Sequence, residues 1–202
     1  MNRKGLVHIV DDDESLRVAL LELLVTAGYE ARGYASTGEF LLHQLPERRS
    51  CILLDVRMPG PSGIELQTAL AQRGIAVPII FMTGHADVPT SVRAMKAGAI
   101  DFLEKPVTRE MLFEALELAL ARDGARRAAS GNAQQRTARL ATLTTREREV
   151  FERIVEGRLN KQIADELGIS LRTVKGYRAQ IMEKLGARSS AELGKFASHT
   201  PD

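Results

Sequence analysis

Asp55, Thr83 and Lys105 each follow a short apolar run, and Asp11, Asp12 and Asp13 follow another. Side chains of these types, gathered at one place, suit phosphoryl transfer to a carboxylate. Asp12 and Asp55 offer hard oxygen ligands for Mg²⁺, which takes a few carboxylates and completes its shell with water and phosphate. A bound metal lets an anionic carboxylate approach an anionic phosphoryl donor. Asp55 is then the nucleophile and forms an acyl phosphate. Lys105 supplies positive charge for the phosphoryl oxygens, and the Thr83 hydroxyl can hydrogen-bond one of them. Singly, each residue has a structural explanation. An Asp after a strand caps a helix, as Asp13 is expected to do. A Lys before a Pro is usually just exposed, and a Thr-Gly pair makes a turn. A set of such residues after successive apolar runs is not explained that way.

The runs are Leu6–Val10, Glu30–Tyr34, Cys51–Asp55, Pro78–Met82 and Ile100–Glu104, each of strand length. Segments of helical periodicity lie between them, such as Leu16, Leu20, Leu23 and Leu24. Gly28, Gly74 and Gly98 stand near the ends of three such segments, where a left-handed cap suits glycine. Thr108 caps a last helix with Met111, Leu112, Ala115, Leu116 and Ala119 on one stripe. Five strands alternating with helices predict a parallel sheet covered on both faces. Ligands of such sheets sit at the carboxyl ends of the strands, where the polar residues collect here. Arg57 and His85 flank the pocket two residues beyond Asp55 and Thr83, placed to hinder water that would hydrolyse the phosphate.

From Arg122 to about Thr142 the chain turns small and polar and lacks an apolar stripe. It reads as a linker, with a longer last helix as the alternative. Four short helices follow. Thr144 and Glu147, then Ser189 and Glu192, make capping-box patterns at the first and fourth. Asn160 opens the second helix and Gly168 closes it, while Ser170 caps the third, which runs through Leu185. On that third helix Val174, Ile181 and Leu185 form a core stripe. Arg172, Lys175, Gly176, Ala179 and Glu183 lie opposite, and Arg178 lies near the stripe's edge. A cationic face with small residues can sit close to DNA. The expected boundaries are 1–121, a linker at 122–142, and 143–202.

Charge divides the same way. Through Arg122 the chain has 13 Lys and Arg against 16 Asp and Glu, and beyond it 15 against 10. An acidic front and a basic rear make nucleic acid a candidate partner of the second part. At 44% hydrophobic and 27% charged residues, the chain is ordinary globular material rather than a disordered chain. No apolar run can cross a bilayer, the early acidic cluster does not suit a secretory signal, and the single Cys51 cannot form an internal disulfide. A reducing cytoplasm is the expected compartment.

The segments VHIVDDDES, CILLDVRMPGPSGIEL and PIIFMTGHADVPTSVRAMKAGAIDFLEKP closely resemble receiver domains of two-component systems, over residues 6–120. The block LTTREREVFERIVEGRLNKQIADELGISLRTVKGYRAQIMEKLGARSSAEL resembles the LuxR-type helix-turn-helix of NarL/FixJ response regulators, over about 140–197. The resemblance implies an α/β flavodoxin-like receiver, a five-stranded parallel sheet of order 2-1-3-4-5, followed by a small all-α four-helix helix-turn-helix domain. It makes Asp55 the phosphoacceptor and Asp12 a direct Mg²⁺ ligand. Asp11 acts indirectly, and the Arg57 backbone carbonyl is a third ligand. Phe102 matches the aromatic switch position, beside a fourth helix expected at about Asp87–Ala97, and the Lys105–Pro106 bond is expected to be cis. The DNA-contacting set becomes Arg172, Thr173, Lys175, Gly176, Arg178 and Ala179. Many relatives carry a larger aliphatic residue and a His where this chain has Gly176 and Tyr177, so base preference does not transfer. The implied function is a DNA-binding transcription regulator rather than an enzyme, switched by phosphorylation. Its implied partners are a sensor histidine kinase, DNA, a second copy of itself, and RNA polymerase as a further candidate. Two other classes stay open on the residues. A phosphatase would usually carry a second acid two residues after the nucleophile, where this chain has Arg57. A module indifferent to phosphate would not need Thr83 and Lys105.

Overall fold

Strand β1 (Leu6–Val10), β3 (Ser50–Asp55) and β4 (Ile79–Thr83) are buried at every residue, while β2 (Glu30–Tyr34) and β5 (Asp101–Glu104) keep partly exposed positions. That division follows from place. The sheet order is β2-β1-β3-β4-β5 with every neighbour parallel, so the three apolar runs lie inside and the two more polar ones form the edges. The computed structural model describes residues 4–84 and 88–197. His85 and Asp87, singled out in the sequence, lie outside the described residues.

Successive strand residues face opposite sides. Val7, Ile9, Cys51, Leu53, Ile80, Met82 and Leu103 pack with α1 (Glu14–Thr26) and the first part of α5 (Arg109–Ala141). Val10, Ile52, Leu54, Ile79 and Phe81 pack on the other face. There they meet residues of α2 (Thr37–Leu41), α3 (Gly63–Gln72) and α4 (Val88–Lys96). The register sets Asp55 opposite Met82 and Thr83 opposite Glu104, so the polar strand ends reach one rim. Gly28, Gly74 and Gly98 take positive φ after α1, α3 and α4, as their spacing predicts.

Helix α5 departs from expectation. Of the stretch 122–142, read from the sequence as a linker, residues 122–141 are helical. Its anchor is polar, which is why an apolar stripe did not reveal it. Asp123 is fully buried and accepts from Arg126 Nη2 and Arg127 Nε, both at 2.6 Å, and from the Ser50 amide at 3.0 Å. Most of the following residues are Ala, Arg and Gln, strong helix formers that carry the helix past Ser130, Gly131 and Asn132. Two compact units divide between Arg127 and Ala128, inside this helix.

The second unit holds α6 (Thr145–Val155), α7 (Asn160–Leu167), α8 (Leu171–Leu185) and α9 (Ser190–Ala197). Val150, Phe151, Ile154, Ile163, Val174, Ile181, Leu185 and Leu193 form its core. The Thr144–Glu147 capping box is present. At α9, Ser189 accepts from the Glu192 amide, while the Glu192 carboxylate reaches the Arg188 amide instead of that of Ser189.

Candidate functional site

Asp11 follows β1, Asp55 ends β3, Thr83 ends β4 and Lys105 follows β5. Lys105 joins them: its Nζ donates to Asp11 Oδ2 and to Asp55 Oδ1, both at 2.7 Å. The remaining carboxylate oxygens are also used. Asp55 Oδ2 accepts from the Arg57 amide at 2.8 Å, and Asp11 Oδ1 accepts from the Asp13 amide at 2.9 Å. Asp11 and Thr83 are buried and Asp55 is only 5% exposed. Burial pushes the Asp55 carboxyl above its ordinary range, and Lys105 partly opposes that rise. For Lys105, burial favours the neutral amine, but its hydrogen bonds to Asp11 and Asp55, with their negative charges, outweigh that and hold its pKa above the usual range. Lys105 is therefore a fixed cation at neutral pH, aimed at the carboxylate expected to react.

The other predicted residues surround this trio. Asp12 is exposed beside it. Asp13 caps α1, its carboxylate accepting from the Leu16 amide at 3.1 Å, as expected. Phe102 is half-buried, its ring centroid 6.0 Å from that of Phe81. Lys105–Pro106 is cis. Among the described residues no three His, Cys, Asp or Glu side chains form a metal cluster. A cation here would rest on the Asp12 and Asp55 carboxylates, the Arg57 carbonyl and water. That all-oxygen, partly hydrated set is one Mg²⁺ accepts.

The second candidate surface is α8. Arg172, Thr173, Lys175, Gly176 and Ala179 are exposed, and a side chain added at Gly176 would meet nothing within 4 Å. Ser170 caps the helix, accepting from the Thr173 amide at 3.0 Å. Arg178 differs from the rest of the predicted set. Its Nη1 donates to Asn160 Oδ1 at 3.0 Å and its Nη2 donates to Ser190 Oγ.

Residues 7–117 match the response regulator receiver domain family, and residues 141–197 match the luxR family of bacterial regulatory proteins. The chain is a two-component response regulator of the NarL/FixJ family. The regulator is 43% identical to nodulation protein W of Bradyrhizobium diazoefficiens, across 98% of this chain and 90% of that protein. It is 44% identical to the transcriptional regulatory protein FixJ of Azorhizobium caulinodans, across 95% and 90%. Among solved structures, the response regulator StyR matches with a TM-score of 0.89 at 45% identity, over 96% of this chain and 98% of that one. Full-length FixJ from B. japonicum matches at 0.60 and 41%, over 98% and 97%. The regulator is thus a DNA-binding transcription regulator, not an enzyme in the ordinary sense, whose receiver takes a sensor kinase as partner. No helix among the described residues is long and apolar enough to cross a membrane.

One residue of the regulator's site escaped the sequence reading. A Cβ at Gly63 would stand 2.2 Å from the Asp55 backbone oxygen, so only glycine lets α3 begin against the end of β3. Ser62 and Glu65 form a capping box at that same turn. The Ser-Gly-x-Glu pattern in the sequence carried the signal for the cap, though not for the close approach.

Proposed function

We propose that Mg²⁺-dependent phosphorylation of Asp55 by a sensor histidine kinase controls DNA binding by α8, through dimerisation of the receiver. The observation that carries this reading is Lys105, held 2.7 Å from both Asp11 and Asp55 at the carboxyl end of the sheet. A carboxylate oxygen of Asp55 attacks phosphorus, the bond from phosphorus to the donor breaks, and an acyl phosphate forms. Asp12, Asp55 and the Arg57 carbonyl would hold Mg²⁺, which offsets charge between the carboxylate and the phosphoryl donor. Lys105 meets the new anionic oxygens, and Thr83 donates its hydroxyl to one of them. Movement of Thr83 frees space for Phe102 to turn inward.

The surface beside these residues supports a dimer. Val88, Val92 and Met95 lie on one stripe of α4 at helical spacing and are 74%, 44% and 45% exposed. Two receivers joined there bring two copies of α8 to half-sites about 10 base pairs apart, centre to centre. Arg172, Thr173, Lys175, Gly176 and Ala179 form the contacting face. The regulator works in the cytoplasm, with RNA polymerase as a further partner, and its phosphate is slowly lost by hydrolysis.

Incubation with acetyl phosphate and Mg²⁺, followed by intact mass, tests the chemistry. One added, acid-labile phosphoryl group is expected on the parent protein and none on Asp55→Ala. Phosphate retained by Asp55→Ala rules out Asp55 as the acceptor.

A further inference from the structure

Arg178 stands apart from the DNA-facing residues of its own helix. At about 100° per residue, Arg172, Lys175, Gly176 and Ala179 fall within an arc of about 100° on α8. Arg178 falls with Val174, Ile181 and Leu185, all three fully buried. Its half-buried side chain spends both terminal nitrogens inside the domain, on Asn160 and Ser190. Asn160 is the first residue of α7 and Ser190 the first of α9. One planar guanidinium therefore ties the starts of two helices to the middle of a third. Arginine suits this task because its fork is rigid and always charged. Among the described residues, the side chains of Arg172 and Lys175 have no hydrogen-bond or ion-pair partner. Among the described residues they are the cations of α8 left available to phosphate, since Arg178 and Lys184 are already bonded.

We propose that Arg178 is a positioning residue. It fixes the seating of α8 against α7 and α9 and so presents the contact face, without touching DNA itself. The inference rests on the reading of α8 as the DNA-contacting helix. A phosphate contact and a positioning role separate by salt dependence, because each phosphate neutralised contributes about 0.9 to the slope of log affinity against log salt.

The full chain is titrated onto a duplex that the wild-type protein has selected from a random-sequence library, over a range of salt. Arg178→Ala is expected to bind about tenfold more weakly at every salt concentration, with the slope unchanged. The Asn160→Ala, Ser190→Ala double variant, which keeps the arginine, is expected to lose affinity in the same way. Adding Arg178→Ala to that background should cost nothing further, because the three residues act as one unit. Arg178→Lys should not restore binding, since an ammonium lacks the fork. A slope reduced by about 0.9 in Arg178→Ala overturns the proposal in favour of a phosphate contact. Wild-type binding by the Asn160, Ser190 double variant overturns it as well, and decides the matter should Arg178→Ala not fold. Failure of the α8 reading has its own signature: Arg172→Ala and Lys175→Ala would then leave both affinity and slope unchanged.

Discussion

Two carboxylates sharing one ammonium leave the receiver pocket with excess negative charge before any phosphate arrives. That arrangement would suit a divalent cation, and it keeps Lys105 charged. The Asp55 carboxylate is held against the preference of its buried surroundings, since folding raises its pKa. At neutral pH the folded state therefore gains nothing from ionising it, and removing it should not unfold the receiver. Gly63 is the more fragile position. Its missing Cβ makes room for the Asp55 carbonyl, and the obstacle is backbone, which cannot swing aside. Gly63→Ala is expected to cost about 2 kcal/mol of stability, as overpacking of a tight contact does. It should also slow phosphorylation by acetyl phosphate, because β3 must shift at the reacting residue. Denaturant unfolding and intact-mass time courses measure both. A variant as stable and as reactive as the parent would show that α3 relaxes freely at that turn.

At the scale of elements, strands were the most legible part of the sequence. Each of the five runs became a strand within one residue of its expected ends, and for the three inner strands burial on both faces of a parallel sheet writes itself directly into composition. The polar rim was legible too, since the carboxyl ends of parallel strands gather in one place. Helix α5 was not legible past Arg122. Its anchor is a single buried carboxylate with two arginines and one backbone amide, and no periodic pattern announces such a group. Gly63 was hidden because close approach depends on which element comes near. Asp123→Ala should destabilise the receiver by about 3 kcal/mol, the loss expected when a buried ion pair is broken. It leaves the Ser50 amide at the start of β3 without its acceptor. Thermal unfolding of the full chain checks this, and an unchanged midpoint would mean the anchor contributes nothing. The pH dependence runs in a definite direction. Burial, together with nearby Arg32 and Arg48, lowers the His8 pKa from 6.5 to about 4. The Asp123 carboxyl is pulled up by burial, but its bonds from Arg126, Arg127 and Ser50 prevail and hold it low. In both cases the unfolded chain binds the proton more readily. The stability these two groups contribute is therefore complete above pH 6.5 and is lost as the pH falls towards 4 and below. His8→Gln should flatten the upper part of that fall, between pH 6.5 and 4, in denaturant melts taken across the range. A curve as steep as the parent's would assign the loss to other groups.

For the whole molecule the question is how a phosphoryl group on β3 alters what α8 does in a separate compact unit. A complete switch from 1% to 99% active requires about 5.5 kcal/mol of preference for the active state. On the proposed mechanism, one acyl phosphate bonded to Lys105 and Thr83 would supply part of that, and apolar area buried between two α4 stripes would supply more. The proposed dimerisation would also make the response depend on protein concentration, since two copies must meet. The most direct test measures affinity for a wild-type-selected duplex, alongside mass by light scattering, on the full chain with and without acetyl phosphate and Mg²⁺. The account predicts that the parent protein shifts from monomer to dimer and binds the duplex more tightly, while Asp55→Ala does neither. Equal affinity before and after phosphorylation of the parent, or an equal gain in Asp55→Ala, would contradict it.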